Sequence, residues 1–126
     1  MEGRDWTDEF PASVVVTGAD GTILYMNERA AATFAAEGGA ALVGHDVRNC
    51  HPPTAREKVE ELFATRRLNA YTIEKNGVRK LIYQSPWYDG GEFAGYVELS
   101  LPIPGEMPHF VRAAKAGGKQ DRKSVV

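Results

Sequence analysis

Three two-residue turn signals divide the 126-residue chain, and their spacing leaves few folds open. Asp20-Gly21 separates apolar runs at 13–17 and 22–26. Asn76-Gly77 separates 71–74 from 78–85. Gly90-Gly91 separates 81–88 from 93–101. Asp-Gly, Asn-Gly and Gly-Gly pairs accept the positive φ that tight hairpin turns demand. Five strands are expected, two before residue 27 and three after residue 69. Because every explicit turn is a hairpin, the sheet should be antiparallel.

The middle of the chain, 27–69, reads as helical. Asn27 is suited to cap a helix, and Glu28 suits the positive end of its dipole. Residues 30–36 are rich in alanine, with Phe34 as the one large apolar anchor, and Gly38-Gly39 supplies a stop. A second helix should open at Thr54, where Thr54 and Glu57 have capping-box spacing. Ala55, Val59, Leu62 and Phe63 then form one apolar stripe. Strand pair, helices, then three strands give an α+β domain with one sheet face covered by helices. Both helices should turn Phe34 and Phe63 toward the sheet, so these line any cavity beneath them, with Tyr25 of the second strand.

Composition excludes several function classes. A single cysteine, Cys50, rules out an internal disulfide framework and a four-cysteine zinc site, and fits a reducing cytoplasm. No apolar run approaches the about 20 residues that a membrane helix needs, and the first residues form no apolar signal segment. The net charge of −2 is unevenly spread: Arg112, Lys115, Lys119, Arg122 and Lys123 face only Asp121 in 111–126, so the remainder is acidic. An acidic body is a poor match for nucleic acid, and the basic end reads as a flexible, solvated extension. There is no phosphate loop, dinucleotide fingerprint or nucleophile elbow.

The run from Pro11 to Asn27 resembles the first hairpin and helix start of the PAS domain family. Leu42-Val-Gly-His-Asp-Val47 is similar to that family's connector, and Gly95-Tyr-Val-Glu-Leu-Ser-Leu101 to its last strand. The resemblance covers about residues 8–103. Asn49-Cys-His-Pro-Pro53 resembles a bacterial and archaeal PAS subgroup often attached to hemerythrin-like domains. The resemblance implies strand order 2-1-5-4-3, with residues 11–103 as the domain, 1–10 as a flanking helix and 104–126 as a basic extension. It also implies a homodimer, built where Trp6 and Phe10 pack on the outer sheet face.

Cys50-His51 is the most chemically pointed place. A thiol near a helix start feels positive potential that favours the thiolate. The bland alternative is a cysteine buried as a small hydrophobe beside a hydrogen-bonded histidine. Adjacent side chains diverge, so they do not make a nucleophile–base pair, and no catalytic residue is expected. His45, Cys50 and His51 have poor metal spacing, so no metal site is expected either. Flavin-binding light sensors of the superfamily carry Asn-Cys-Arg-Phe-Leu-Gln; here His51, Pro52, Pro53 and Thr54 follow Asn49-Cys50, which argues against flavin. Haem stays open, with His51 as axial ligand. The expected function is a sensory module that binds a small ligand or responds to redox state and signals to a partner protein. Two alternatives stay open: a haem-type gas or redox sensor, and a ligand-free dimerisation module.

Overall fold

The computed structural model describes residues 5–50 and 53–114, Cys50 through its backbone alone. Strand β1 (Ser13–Thr17) turns back on β2 (Ile23–Met26) as a hairpin. Asp20 Oδ1 accepts the Thr22 N–H at 2.9 Å, and Gly21 takes a φ of 91°, a combination that suits Asp-Gly. The three later strands are β3 (Asn69–Lys75), β4 (Val78–Asp89) and β5 (Glu92–Ile103). All pair antiparallel in the order β2-β1-β5-β4-β3, as the resemblance implies. The chain leaves the sheet at one edge and re-enters at the other. The helical middle must therefore cross a single face.

That middle is more broken than the alanine run suggests. Helix α1 (Glu28–Thr33) stops at Phe34, whose φ of −100° and ψ of 23° leave the helical region. The N–H groups of Glu37 and Gly39 both turn back to the Phe34 carbonyl, at 3.0 and 2.9 Å. Short 3-10 turns then occupy Ala35–Glu37, Gly39–Leu42 and Val47–Cys50. Helix α2 (Pro53–Thr65) begins one residue before the expected start. Proline is favoured at a first helical position, because its missing N–H would have no partner there. Thr54 thus lies inside the helix and is not its cap.

Residues 5–10 make turns, not the expected flanking helix: Asp8 N–H reaches the Asp5 carbonyl at 3.1 Å and Phe10 N–H the Thr7 carbonyl at 3.2 Å. Asn27, which is 2% exposed, holds this segment. Its Nδ2 donates to the Thr7 and Ala12 carbonyls at 3.0 and 2.7 Å, drawing the segment across the start of α1. Its Oδ1 accepts the N–H groups of Val14 and Ala30 at 3.0 and 2.9 Å. One side chain thereby caps α1 and ties it to β1 and the N-terminal segment. Beside it, Val15, Ile23 and Ala30 form a buried cluster packed by Met26, Phe34, Leu42 and Val47.

Thr17 ties the other end of β1. Its Oγ1 accepts the Tyr96 N–H at 3.1 Å, and its carbonyl accepts the Trp87 indole N–H at 2.9 Å. This close approach requires Gly95. With φ at 140°, a β-carbon there would be driven into the Thr17 carbonyl oxygen and lie 2.7 Å from the Gly18 carbonyl carbon.

Candidate functional site: a cavity under the second helix

Register decides which side chains share the helix-covered face, because strand neighbours alternate sides. Met26 pairs with Val15, Val15 with Glu98, Glu98 with Gln84 and Gln84 with Asn69. This row crosses all five strands. Above it lies a cavity of about 70 Å³. Its floor is Val15, Thr17, Ile23, Met26, Gln84, Tyr96 and Glu98; its walls and roof are Phe34, Val47, Val59, Leu62 and Phe63. The polar end of the row is internally joined. Asn69 Nδ2 donates to Gln84 Oε1, and Gln84 Nε2 donates to Glu98 Oε2, each at 2.7 Å.

The roof is thinly held. Leu62 is the one buried side chain described in α2, and Ala55, Val59 and Phe63 are half-buried. Two devices fasten it. At its C-terminal end the Tyr96 hydroxyl lies 2.7 Å from the Leu62 carbonyl and 2.8 Å from that of Arg67, sharing its proton between them. Burial is the main cause that pushes this phenol above its usual range. Phe63 packs against Tyr96 and Phe93, with ring centroids 5.1 and 6.2 Å away.

The second device is Arg48, in the turn before α2. Its guanidinium bonds Asp46 at 3.0 Å, the Asp20 carbonyl at 3.1 Å, and Glu60 of α2. It also lies 5.4 Å from the centre of the Phe63 ring. The connector it stands on is bonded to the first hairpin: Ile23 N–H to the His45 carbonyl, Gly44 N–H to that of Ile23, and Val47 N–H to that of Gly21, each 2.8 Å. Arg48 thus links hairpin, connector and roof helix.

Of the residues expected at a site, Phe34 and Phe63 line this cavity. Tyr25 does not. An irregularity between Val16 and Thr17 lets Ile23 and Met26 share the cavity side, and Tyr25 pairs with Val16 facing away. Its hydroxyl donates to Asp8 Oδ1 at 2.5 Å and lies 3.0 Å from Thr7 Oγ1. Desolvation and the Asp8 carboxylate raise its pKa. Its place is at the N-terminal segment, not in a ligand site. Cys50 ends the turn Val47–Cys50 by its backbone, while its side chain, His51, and most of the basic end (115–126) lie outside the described residues. Sequence reasoning passed over Gln84, Glu98, Tyr96 and Arg48.

Haem finds little room among the described residues: a macrocycle needs a pocket of several hundred Å³, against about 70 Å³ here, while its expected axial ligand, His51, lies outside them. Among the described residues, no three His, Cys, Asp or Glu side chains converge as a metal site, and no helix is long and apolar enough to cross a membrane.

Comparison with known proteins agrees with this architecture. Residues 7–66 match the model of a family described as PAS fold. No curated protein matches the sequence. Among solved structures, a C-terminal domain from Streptococcus mutans is similar at 23% identity and TM-score 0.65, over 77% of this chain and 79% of that one. The PAS domain of BvgS from Bordetella pertussis is similar at 21% identity and TM-score 0.56, over 78% and 81%. The Aer2 receptor from Vibrio cholerae, a dual PAS-heme oxygen sensor, is similar at 16% identity and TM-score 0.57, over 74% and 95%. Strand order, helices over one face and the match over 7–66 make this chain a domain of the PAS fold.

Proposed function

We propose that this chain is a sensory domain that takes a small molecule into the cavity and signals, without catalysis of its own, by shifting helix α2. The observation that carries this reading is the cavity itself, roofed by a helix with one buried side chain and a polar row exposed to whatever enters. A ligand moves such a helix only by binding one of its positions more tightly than the other. The relatives named as sensors, including a sensory box histidine kinase from Vibrio cholerae, support the signalling role. The proposed home is the cytoplasm, and the receiver of the signal is a partner protein or a second copy of this chain. The surface offered for pairing is the outer sheet face, where Tyr83 is 37% exposed, together with the Trp6–Phe10 pair, whose rings meet edge-on at 5.4 Å.

Native mass spectrometry of the purified chain, with its denatured mass as reference, tests this. A mass excess lost on denaturation, together with slower amide exchange across 53–65 in the loaded form, is the expected result. A bare chain whose exchange in 53–65 is untouched by any compound of a small-molecule library would overturn it. Cys50→Ser and His51→Ala, measured in parallel, decide whether those side chains contribute to ligand content or to oligomeric state.

A further inference from the structure

Resting on that reading, we propose that the cavity selects a small cation, a short apolar body carrying one ammonium group, with Glu98 as its counter-charge. The polar groups in the lining leave little else to recognise. The Thr17 hydroxyl is engaged with the Tyr96 backbone, and the Tyr96 hydroxyl with the end of α2. Gln84 bridges Asn69 and Glu98. Glu98 Oε2 takes the Gln84 N–H, which leaves Oε1 to a ligand. Among the described residues no ion pair reaches Glu98, whereas Arg48 is held by Asp46 and Glu60, and Arg67 by Glu61.

A carboxylate on the wall of an apolar cavity is costly without a countercharge. A ligand ammonium supplies both the charge and a charge-assisted hydrogen bond. A hydroxyl supplies only a neutral bond, and a second carboxylate is repelled. Tyr71, which pairs with Ile82 on the same sheet face, shows the reach of this charge: burial first and the Glu98 carboxylate second raise its phenol's pKa. Size narrows the ligand further. An apolar cavity of about 150 Å³ holds the six heavy atoms of benzene, so about 70 Å³ admits a body of about three heavy atoms.

The test is calorimetric titration of the full chain at pH 7 with ethylammonium, ethanol and acetate, three short ligands with different head groups. Ethylammonium should bind at least tenfold more tightly than ethanol, and acetate most weakly. Glu98→Gln should remove the preference for ethylammonium over ethanol. Val59→Trp, which fills the cavity, should abolish binding of all three. Ethanol or acetate binding as tightly as ethylammonium to the wild type would overturn the charge assignment and leave the ligand-sensing reading intact. Binding of none of the three overturns the assignment, and the mass measurement above then judges the wider reading separately. The wild-type series decides by itself if Glu98→Gln does not fold.

Discussion

The two ends of the cavity are built to different standards. On the β1 side two polar side chains are over-determined: Asn27 bonds the N-terminal segment, the start of β1 and α1, and Thr17 joins β1 to β4 and β5. Buried, fully satisfied networks of this kind specify one arrangement and resist others. On the α2 side, a thirteen-residue helix has one buried side chain among those described, Leu62, and its other described ties are the half-buried Phe63 ring, the Tyr96 hydroxyl, Arg48 with its exposed partner Glu60, and the Arg56 bond to the Arg48 carbonyl. Elements with few buried contacts open at a small fraction of the global stability. A firmly tied floor beneath a thinly held roof is the asymmetry that the proposed sensing would use.

The contrast breaks most severely at Gly95. Gly95→Ala forces a β-carbon into the Thr17 carbonyl at a φ that L-residues rarely adopt, and both faults fall on the rigid side. The expected loss is about 3 kcal/mol or more, measured as a lowered midpoint in urea with the slope unchanged. A loss below about 1 kcal/mol would show that the β1–β5 junction yields, and that the floor is not the fixed half.

Tyr96→Phe should act on the roof instead. It removes one hydroxyl shared by two carbonyls, of which that of Leu62 keeps the Arg66 N–H at 2.7 Å. The expected cost is about 1 kcal/mol, with faster amide exchange across 53–65 and unchanged protection in β1 and β5. The wild type should repeat this at high pH. The folded phenol titrates above its ordinary value of 10.0, so its contribution is complete below pH 10 and is lost as pH rises through the folded pKa. Equal loss of protection in β1 would mean that floor and roof open together.

Much of the fixed half is legible in the sequence, and little of the roof is. Asp20-Gly21 and Asn27 state their conformations through local chemistry, and the first strand falls at Ser13–Thr17 as its pattern indicates. The later strands run longer than their apolar cores, because ladder bonds carry Asn69, Lys75 and Glu92 along with them. Tyr25 shows the limit of alternation: one irregularity opposite it, invisible in the pattern, reverses which neighbours face the cavity. Glu98 carries a sequence signal, as the one charged residue between Phe93 and Leu101. Its meaning depends on Gln84, fourteen residues away, and only register joins them. Arg48 has no local signal at all, since its partners Asp20 and Glu60 are brought together by the fold.

The smallest expected effect sharpens the comparison at the far end of α2. Arg67 donates to Glu61 at 2.7 and 3.0 Å, and these bonds hold the Glu61 carboxyl at about 2, below its ordinary 4.5. A carboxylate with a depressed pKa contributes stability that is complete above the unfolded value and is lost as pH falls through the folded one. The window here is therefore about 4.5 down to about 2. Both side chains are 42% exposed, so solvent and salt screen the pair and the contribution is small. Glu61→Gln should flatten the acid limb of α2 exchange between those two pH values and leave β1 unchanged. In 1 M salt the wild type should approach the variant, because the Debye length there is about 3 Å. An acid limb that Glu61→Gln does not alter would show that the Arg67–Glu61 pair does not help fasten the roof.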